Sequence, residues 1–403
     1  MESLAFADEQ CTSLAYIPSP QRLSRASATG YVTAEADSYD GRNGPLLDLG
    51  LAVSPIGPAP ELQELLHQRD PFRELSAYPR DPYQRETREI VLKGIGVQGL
   101  TPESLLFAGN GSYGAGDEVI RYVRHLGYTT VFVPAYSFPN VFQWAARHLF
   151  EHLPLHPVTY HPAVSLQQVL SMNRDTLRGT IIYIDYPNNP FGNADPELLR
   201  RVVDHVAAMQ GLPLVDLAFG EVLGEECRQA IQYTLSRGGI CLASLSKTQG
   251  LPGLRAGYAV LSPDLALGYA GAQQLVFGIH SEAEYIYRRL FERASDGSTL
   301  AHRQAEQVAR YNVETNVQLV ERLQRLGLEV GRSDPRTPIQ VVISRDAHFH
   351  QKLLQQGIIT ESLRGYGITL RNGPGYQDAA VRMLTPGPGQ LEEVLRRVAL
   401  ALC

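Results

Sequence analysis

Between about Thr101 and His280, short apolar runs alternate with longer stretches in which apolar residues recur at helical spacing. The apolar runs have the length of buried strands and cover residues 105–108, 130–133, 179–184, 212–215 and 240–243. The stretches with helical spacing cover residues 118–125, 139–148, 166–172 and 197–209. Strands that alternate with helices are typical of βαβ units, so this region is predicted to be an α/β domain with a mainly parallel sheet between helices.

The pattern changes on both sides of this region. Residues 1–60 are polar, rich in Pro and Gly and weakly periodic, which indicates an extended N-terminal arm. After about residue 280, helical patterns at 282–293, 300–326, 347–356 and 389–402 are combined with strand patterns at 340–344 and 380–384. We therefore predict an arm over residues 1–60, a large domain over 61–285, and a smaller α+β domain over 286–403 that packs with part of the arm.

Composition and charge exclude several classes of function. The 403 residues carry a formal charge of −6, which gives no general attraction to nucleic acid or to anionic membranes. The four cysteines form no C-x-x-C pair and lack the spacing of metal ligands, so we expect a reducing compartment and no metal site. The N-terminus has no signal-peptide pattern, and no apolar run is long enough to span a bilayer. We expect a cytoplasmic protein.

The segment 244–258, SLSKTQGLPGLRAGY, contains the most informative motif. Lys247 follows a predicted strand, lies among hydroxyl side chains and precedes Arg255 by eight residues. An aldehyde cofactor needs an amine as its anchor, and a phosphate needs positive charge and hydroxyl donors. A surface lysine in a Gly-rich loop is the alternative, but it does not account for this combination of groups.

This motif resembles the S-x-S-K-x-x-G-L-x-G-L-R-x-G-Y pattern of fold-type I enzymes that use pyridoxal phosphate (PLP), the class I and II aminotransferase superfamily. The chain is similar to histidinol-phosphate aminotransferase and to threonine-phosphate decarboxylase, with gaps, from about Asp48 to its C-terminus. The resemblance implies a seven-stranded sheet of the PLP fold type I. It also implies that Lys247 holds PLP as a Schiff base, with cofactor contacts from Ser244, Ser246 and Arg255.

Two further motifs follow predicted strands. In the segment YPNNPFG, Asn189 matches the family asparagine that donates to the phenolic oxygen of PLP and contacts substrate, although an Asn-Pro pair also makes a turn by itself. Asp216 ends the strand at 212–215, at the edge of the sheet where α/β proteins bind ligands. A carboxylate there would keep the pyridine nitrogen of PLP protonated, and a turn or N-cap aspartate is the alternative.

Phe219, in the segment DLAF, departs from the aminotransferase pattern. Relatives that transaminate usually carry a tyrosine there, which contacts the phenolic oxygen of PLP, and phenylalanine has no hydroxyl to donate. The decarboxylase branch does have D-x-A-F. The resemblance thus implies an intact cofactor site, while Phe219 counts against transamination.

The loop GNGSYG at 109–114 matches the G-x-G-x-x-G of dinucleotide-binding proteins. The next predicted strand ends without the acidic residue that a ribose would need, so an NAD site accounts for this loop alone. The resemblance instead implies that Gly111, Ser112 and Tyr113 bind the phosphate of PLP at a helix N-terminus. Residues 113–116 separate the loop from the predicted helix and leave open which amides point to the phosphate.

Two tyrosines take cofactor roles by resemblance. Tyr136, in the segment VPAY, matches the aromatic residue that stacks on the pyridine ring, and a core tyrosine is the alternative. Tyr78 matches a tyrosine that reaches the phosphate in the neighbouring subunit, and a surface tyrosine is the alternative. The resemblance therefore implies a homodimer with shared active sites.

Arg382 lies in the otherwise apolar segment AVRML, where a buried guanidinium needs an anion. The family carries its carboxylate-binding arginine here, so we expect Arg382 to bind the substrate, with a structural ion pair as the alternative and Arg371 as a weaker candidate. The relatives' N-E-N-P-x-G-P has become AVSPIGP at 52–58, which indicates a reshaped substrate side. His280, Tyr285 and His302 are further candidates for lining that side.

These observations predict a PLP-dependent enzyme that acts on an α-amino acid through a Lys247 internal aldimine and a quinonoid intermediate. An aminotransferase is the first hypothesis. A non-transaminating PLP enzyme, such as a decarboxylase, a cyclase, an elimination or replacement enzyme or an oxygen-using oxidase, is the alternative. A PLP-binding regulator would need a DNA-binding module, of which residues 1–60 show no pattern.

Overall fold

The structure is a computed structural model and describes residues 14–16, 39, 41, 43–51, 53–68, 83–134, 141, 147–148, 150–155, 162–272, 279–366, 368–370 and 378–403. Within these ranges, the strands are β1 (Leu14–Tyr16), β2 (Leu47–Asp48), β3 (Leu105–Gly109), β4 (Thr130–Pro134), β5 (Glu151–Leu155), β6 (Thr180–Asp185), β7 (Leu212–Asp216), β8 (Ile240–Ser244), β9 (Ala256–Leu261), β10 (Glu329–Val330), β11 (Ile339–Ile343), β12 (Ile358–Ile359), β13 (Glu361–Ser362), β14 (Ile368–Leu370) and β15 (Ala380–Leu384).

The helices of the same ranges are α1 (Pro60–His67), α2 (Arg85–Ile95), α3 (Gly111–His125), α4 (Pro162–Val169), α5 (Arg174–Leu177), α6 (Pro196–Ala208), α7 (Glu225–Ser236), α8 (Pro263–Ala272), α9 (Ser281–Phe291), α10 (Leu300–Arg325), α11 (Phe349–Gln355) and α12 (Leu391–Leu402). None of the helices in the described ranges combines the length and the apolar character needed to cross a membrane.

Seven strands form the central sheet, in the order β3-β9-β8-β7-β6-β4-β5. All neighbours are parallel except β9, which is antiparallel to both β3 and β8. Successive residues of a strand, such as Leu105 and Leu106, pack into the apolar layers on opposite faces of the sheet. The sheet is therefore buried on both faces. The predicted α/β fold with a mainly parallel seven-stranded sheet is confirmed.

The sequence interpretation missed β5 and β9 and misplaced the start of α3. The run at 256–261 was assigned only to the lysine motif, yet all six of its residues are buried in the sheet. Helix α3 begins at Gly111, not at Glu118, because the sequence YGAG continues as helix rather than as a loop. The glycine loop therefore consists of the first turn of α3 itself.

A second sheet of four strands follows, in the order β10-β11-β15-β13. Its strands pair antiparallel, and Leu319, Leu353 and Val394 from three helices are buried against it. Strand β2 of the N-terminal segment pairs with β12 in a separate two-stranded sheet, and the Leu384 amide of β15 donates to the Leu49 carbonyl. The chain thus places the carboxyl ends of the large sheet beside the strands of the small one.

Candidate active site

Three side chains with ionisable groups follow neighbouring parallel strands of the large sheet. Asp185 ends β6, Asp216 ends β7 directly opposite it, and Lys247 comes three residues after the end of β8. Because the carboxyl ends of parallel strands meet at one edge of a sheet, the strand order alone brings these residues together.

Lys247 has an unusual environment for a lysine. Its Nζ lies 5.4 Å from the centre of the Phe219 ring. Burial, reinforced by the positive charge of Arg382, lowers the pKa of the Lys247 amine to about 8. At pH 7 roughly a tenth of this amine is therefore uncharged and able to attack a carbonyl group, a far larger share than in a lysine with an ordinary pKa.

Asp216 is 7% exposed and has two donors. The Tyr183 hydroxyl donates to Oδ2 at 2.8 Å, and the Ala218 amide donates to Oδ1 at 2.9 Å. Burial raises the pKa of the Asp216 carboxyl, although the two hydrogen bonds and Lys247 oppose that rise. A cation placed against Asp216 would offset the cost of this burial.

Asp185 holds the turn that contains Asn189. It accepts from the Asn188 side chain at 3.0 Å and from the Asn189 amide at 3.1 Å, and burial raises its pKa to about 7. The Oδ1 atom of Asn189 accepts from the Arg382 guanidinium at 2.8 Å. Because arginine is only a donor, this contact fixes which way the amide faces and leaves its Nδ2 group to donate elsewhere.

A second set of donors converges at the first turn of α3. A Cβ atom on Gly111 would lie 3.4 Å from Ser244 Oγ, 3.6 Å from Ser246 Oγ and 3.7 Å from Arg255 Nη2. The space above this glycine is thus bounded by two hydroxyls and a guanidinium, at a helix N-terminus. Such a set of donors suits a phosphate group.

The three residues of α3 that were predicted to bind phosphate differ in whether they are placed to donate a hydrogen bond to it. The Gly111 amide donates to the Arg255 carbonyl at 3.0 Å, so it is not directed at a ligand. The Tyr113 side chain lies beside Arg147, with its hydroxyl accepting at 3.3 Å. Ser112 follows Gly111 in the first turn, where amides have no acceptor within the helix.

Arg382, on β15 of the small sheet, has a buried side chain with several hydrogen-bond partners. Its Nη1 donates to Asn189 at 2.8 Å and to the Tyr366 hydroxyl at 2.7 Å, and its Nη2 donates to the Gly50 carbonyl at 2.6 Å. The Nη2 atom also forms an ion pair with Glu361, and both side chains are buried. The alternative of an internal ion pair at Arg382 is therefore present in the structure.

Other candidates are placed less centrally or are not described. Tyr78, Tyr136 and Arg371 lie outside the described residues. His280 is the N-cap of α9, where its Nδ1 accepts from Ala283 at 3.2 Å, and His302 lies 3.2 Å from Glu306 on the exposed side of α10. Both histidines thus make contacts that are ordinary for helix residues.

Sequence reasoning missed four residues of the site: Tyr183, Asp185, Glu361 and Tyr366. Asp185 carried a usable signal, since it ends a predicted strand as Asp216 does. Glu361 carried none, because β13 has only two residues and its pairing partner is twenty-one residues further along the chain.

Comparison with known proteins gives one consistent result. The aminotransferase class I and II family matches residues 49–397. A histidinol-phosphate aminotransferase from Methanosarcina barkeri is 29% identical over 239 residues, which are 56% of this chain and 58% of that protein. The chain thus matches less than two thirds of the length of this curated relative.

Solved structures agree at the level of the fold. The histidinol-phosphate aminotransferase from Sinorhizobium meliloti, in complex with pyridoxal-5'-phosphate, superposes with a TM-score of 0.67 and 18% identity, over 96% of this chain and 98% of that one. The L-threonine-O-3-phosphate decarboxylase from Porphyromonas gingivalis gives a TM-score of 0.68 and 17% identity, over 89% of this chain and 99% of that one.

Proposed function

The chain belongs to the class I and II aminotransferase family, and we propose that it is a PLP-dependent enzyme that acts on the amino group of an α-amino acid. The observation that carries this proposal is the placement of Lys247, Asp216 and the Gly111 cradle at one edge of the large sheet. An amine, a carboxylate and a phosphate-type site are the three anchors that PLP requires.

The residues fit the cofactor in chemical terms. Ser244, Ser246 and Arg255 would hold the phosphate above Gly111, where a side chain would fill the space. Lys247 Nζ would hold the aldehyde carbon covalently. Asp216 would face the pyridine nitrogen, and the positive charge there would relieve the cost of burying its carboxylate.

Bound PLP supplies an electron sink for the α-carbon of an amino acid. Asp216 would keep the proton on the pyridine nitrogen, on which that sink depends. Lys247, once its amine is displaced by the substrate amine, would move the proton at the α-carbon, and its pKa of about 8 suits a base near neutral pH. Asn189 Nδ2 would donate to the phenolic oxygen of the cofactor.

Arg382 would bind the carboxylate of the substrate together with Asn189. Its guanidinium is held in place by Asn189 and Gly50, and its planar fork matches a carboxylate. A carboxylate at this position would fix the rotation of the α-carbon and thereby choose which bond is broken.

Transfer of the amino group to an oxo acid is the reaction we propose first, since the family and the Methanosarcina relative are named for it. One observation favours a second candidate, a PLP reaction without amino transfer. Phe219 lies beside the Lys247 amine and has no hydroxyl to hold the phenolic oxygen of the cofactor.

The experiment is an incubation of the holoenzyme with a panel of amino acids, with and without 2-oxoglutarate. Transamination predicts that oxo acid and glutamate form in equal amounts when 2-oxoglutarate is present, and that without it no more than one oxo acid forms per active site. Products that form without 2-oxoglutarate in large excess over the enzyme would select the second candidate. Absence of any reaction with the whole panel, in an enzyme that holds PLP at Lys247, would contradict both.

A further inference from the structure

The carboxylate-binding position at Arg382 is already occupied by a carboxylate of the protein. Glu361 and Arg382 lie directly opposite each other on β13 and β15, so their side chains share one face of the small sheet. Glu361 is 7% exposed and Arg382 is 5% exposed. The Glu361 Oε2 atom takes part in the ion pair and also accepts from the Tyr366 hydroxyl at 3.0 Å.

The donors of Arg382 are almost completely used. Both Nη atoms have two partners each, and only Nε has none among the described residues. A substrate carboxylate would therefore find one free donor on Arg382, and it would need Nη2 to leave Glu361 in order to be held by two parallel hydrogen bonds.

Charge makes this exchange unfavourable for a simple amino acid. The Arg382 and Glu361 charges cancel, and the α-amino group of the substrate goes to the cofactor at Lys247, so a substrate carboxylate at Arg382 would leave the Glu361 carboxylate without a positive partner. Removing one partner of a buried ion pair is costly, because the other charge is left without compensation. A substrate that also brings a positive charge would balance Glu361 and release Arg382.

We propose that Glu361 makes this enzyme selective for amino acids that carry a second cationic group, such as an amine or a guanidinium. The proposal rests on the PLP-dependent function given above. On binding, the substrate carboxylate takes Nε and Nη2 of Arg382, and the cationic side chain takes Glu361. The Oε1 atom of Glu361 is suited to receive it, since no described residue donates to that oxygen.

Tyr366 permits this exchange of partners. Its one hydroxyl hydrogen has two acceptors within reach, Glu361 Oε2 at 3.0 Å and Asn189 Oδ1 at 3.1 Å. When a substrate cation takes over Glu361, the Tyr366 hydroxyl can turn to Asn189 without losing a hydrogen bond. The ring is fully buried and keeps the hydroxyl in place in both arrangements.

The wild-type holoenzyme provides the first test. Calorimetric titration would compare each basic amino acid with a neutral isostere, L-arginine with L-citrulline and L-ornithine with L-norleucine. Because a hydrogen bond to a charged group contributes about 1.5–3 kcal/mol, at least one basic member should bind roughly 10- to 100-fold more tightly than its isostere. Equal affinity within both pairs would overturn the proposal.

The second test uses the Glu361→Gln variant, with Glu329→Gln as the control. Glu329 is an exposed glutamate on β10 of the same small sheet. We expect Glu361→Gln to lose the preference for the basic member and to bind the neutral member more tightly, while Glu329→Gln behaves as wild type. A Glu361→Gln enzyme with unchanged preference would contradict the role of Glu361, and if this variant does not fold, the wild-type comparison still decides.

The absorption band of lysine-bound PLP separates this proposal from the one on which it rests. If the band is present in the titrated enzyme and the preference is absent, only the role of Glu361 is wrong. If PLP does not bind at Lys247 at all, the proposed function itself is wrong.

Discussion

At the level of single residues, the lowered pKa of Lys247 has a consequence for cofactor attachment. Only the neutral amine attacks an aldehyde, and burial brings the pKa of this amine to about 8. Because the pKa is lowered, the neutral form increases as the pH rises to about 8 and is dominant above it. The rate at which PLP attaches to the apoenzyme should therefore rise with pH, reach half of its maximum near pH 8 and level off about one pH unit higher.

Stopped-flow absorbance at constant PLP concentration measures this rate. A lysine with an ordinary pKa near 10.4 would give a rate that still rises about tenfold for each pH unit between 8 and 9. That result would contradict the environment assigned to Lys247.

Asp216 gives a second prediction at this scale. Asp216→Asn keeps the shape of the side chain but cannot hold a proton on the pyridine nitrogen. PLP should still bind, through Lys247 and the phosphate contacts, while kcat should fall on the order of 10²- to 10³-fold. Asp204→Asn is the control, since Asp204 is a half-exposed carboxylate on α6 that also accepts from a tyrosine. If the Asp216→Asn variant turned over at the wild-type rate, Asp216 would be only a turn residue without a role in the reaction.

The sequence indicated most of the residues that the structure brings together in the candidate site, but not all of the partners of Arg382. Lys247, Asp216, Asn189 and Arg255 follow predicted strands or belong to one motif, so local sequence was enough to single them out. The sequence also required an anion for the buried Arg382, but it could not tell whether the substrate or the protein provides it. That depends on the register between β13 and β15, which no local pattern specifies.

At the level of elements, the proposed phosphate site depends on the first turn of α3. Gly111 has a φ of 70° and faces Ser244, Ser246 and Arg255 at 3.4–3.7 Å from a hypothetical Cβ atom. Gly111→Ala should therefore place a methyl group where the phosphate binds. We expect PLP affinity to fall by about tenfold or more, as for the loss of one or two hydrogen bonds to a charged group.

Gly238→Ala is the matched control for this variant. Gly238 has a φ of 79° and open space around it, so alanine there costs the same roughly 1–2 kcal/mol of backbone strain without reaching the cofactor. Fluorescence titration of both apoenzymes with PLP and with pyridoxal, which lacks the phosphate, would test the assignment. A loss of affinity that is equal for PLP and pyridoxal would contradict the phosphate role.

Five of the seven strands of the large sheet were predicted, because each of them is a short apolar run. Strand β5, EHLPL, begins with two polar residues and has no such run, and the apolar run of β9 was assigned to the lysine motif instead. The antiparallel direction of β9 has a physical reason. A parallel crossover needs a long connection, usually a helix, whereas residues 245–255 contain only the short 3₁₀ turn Pro252–Leu254 between β8 and β9. The antiparallel pairing makes residues 245–255 a short connection that brings Arg255 back to Gly111, at the proposed phosphate site.

At the level of the whole molecule, we predict a homodimer in which Tyr78 reaches the phosphate of the neighbouring subunit. Lys247→Ala and Tyr78→Phe should each lower activity at limiting PLP. When the two variants are mixed in equal amounts, unfolded and refolded together, the mixture should recover about a quarter of wild-type activity. Half of the dimers are then hybrids, and each hybrid has one intact site. Dimers without any recovery would place Tyr78 in its own subunit, and a monomer of 44.5 kDa with full activity would exclude shared sites.

The central claim is that Lys247 carries the cofactor, and the lysine content of the chain makes it directly testable. The sequence has three lysines, Lys93, Lys247 and Lys352, and the Lys93 side chain is 74% exposed. Borohydride reduction of the holoenzyme, proteolysis and mass spectrometry would locate the phosphopyridoxyl group. We expect one group per chain, on the peptide that contains Lys247. A group found mainly on Lys93 or Lys352, or a near-visible band that borohydride does not remove, would contradict the claim.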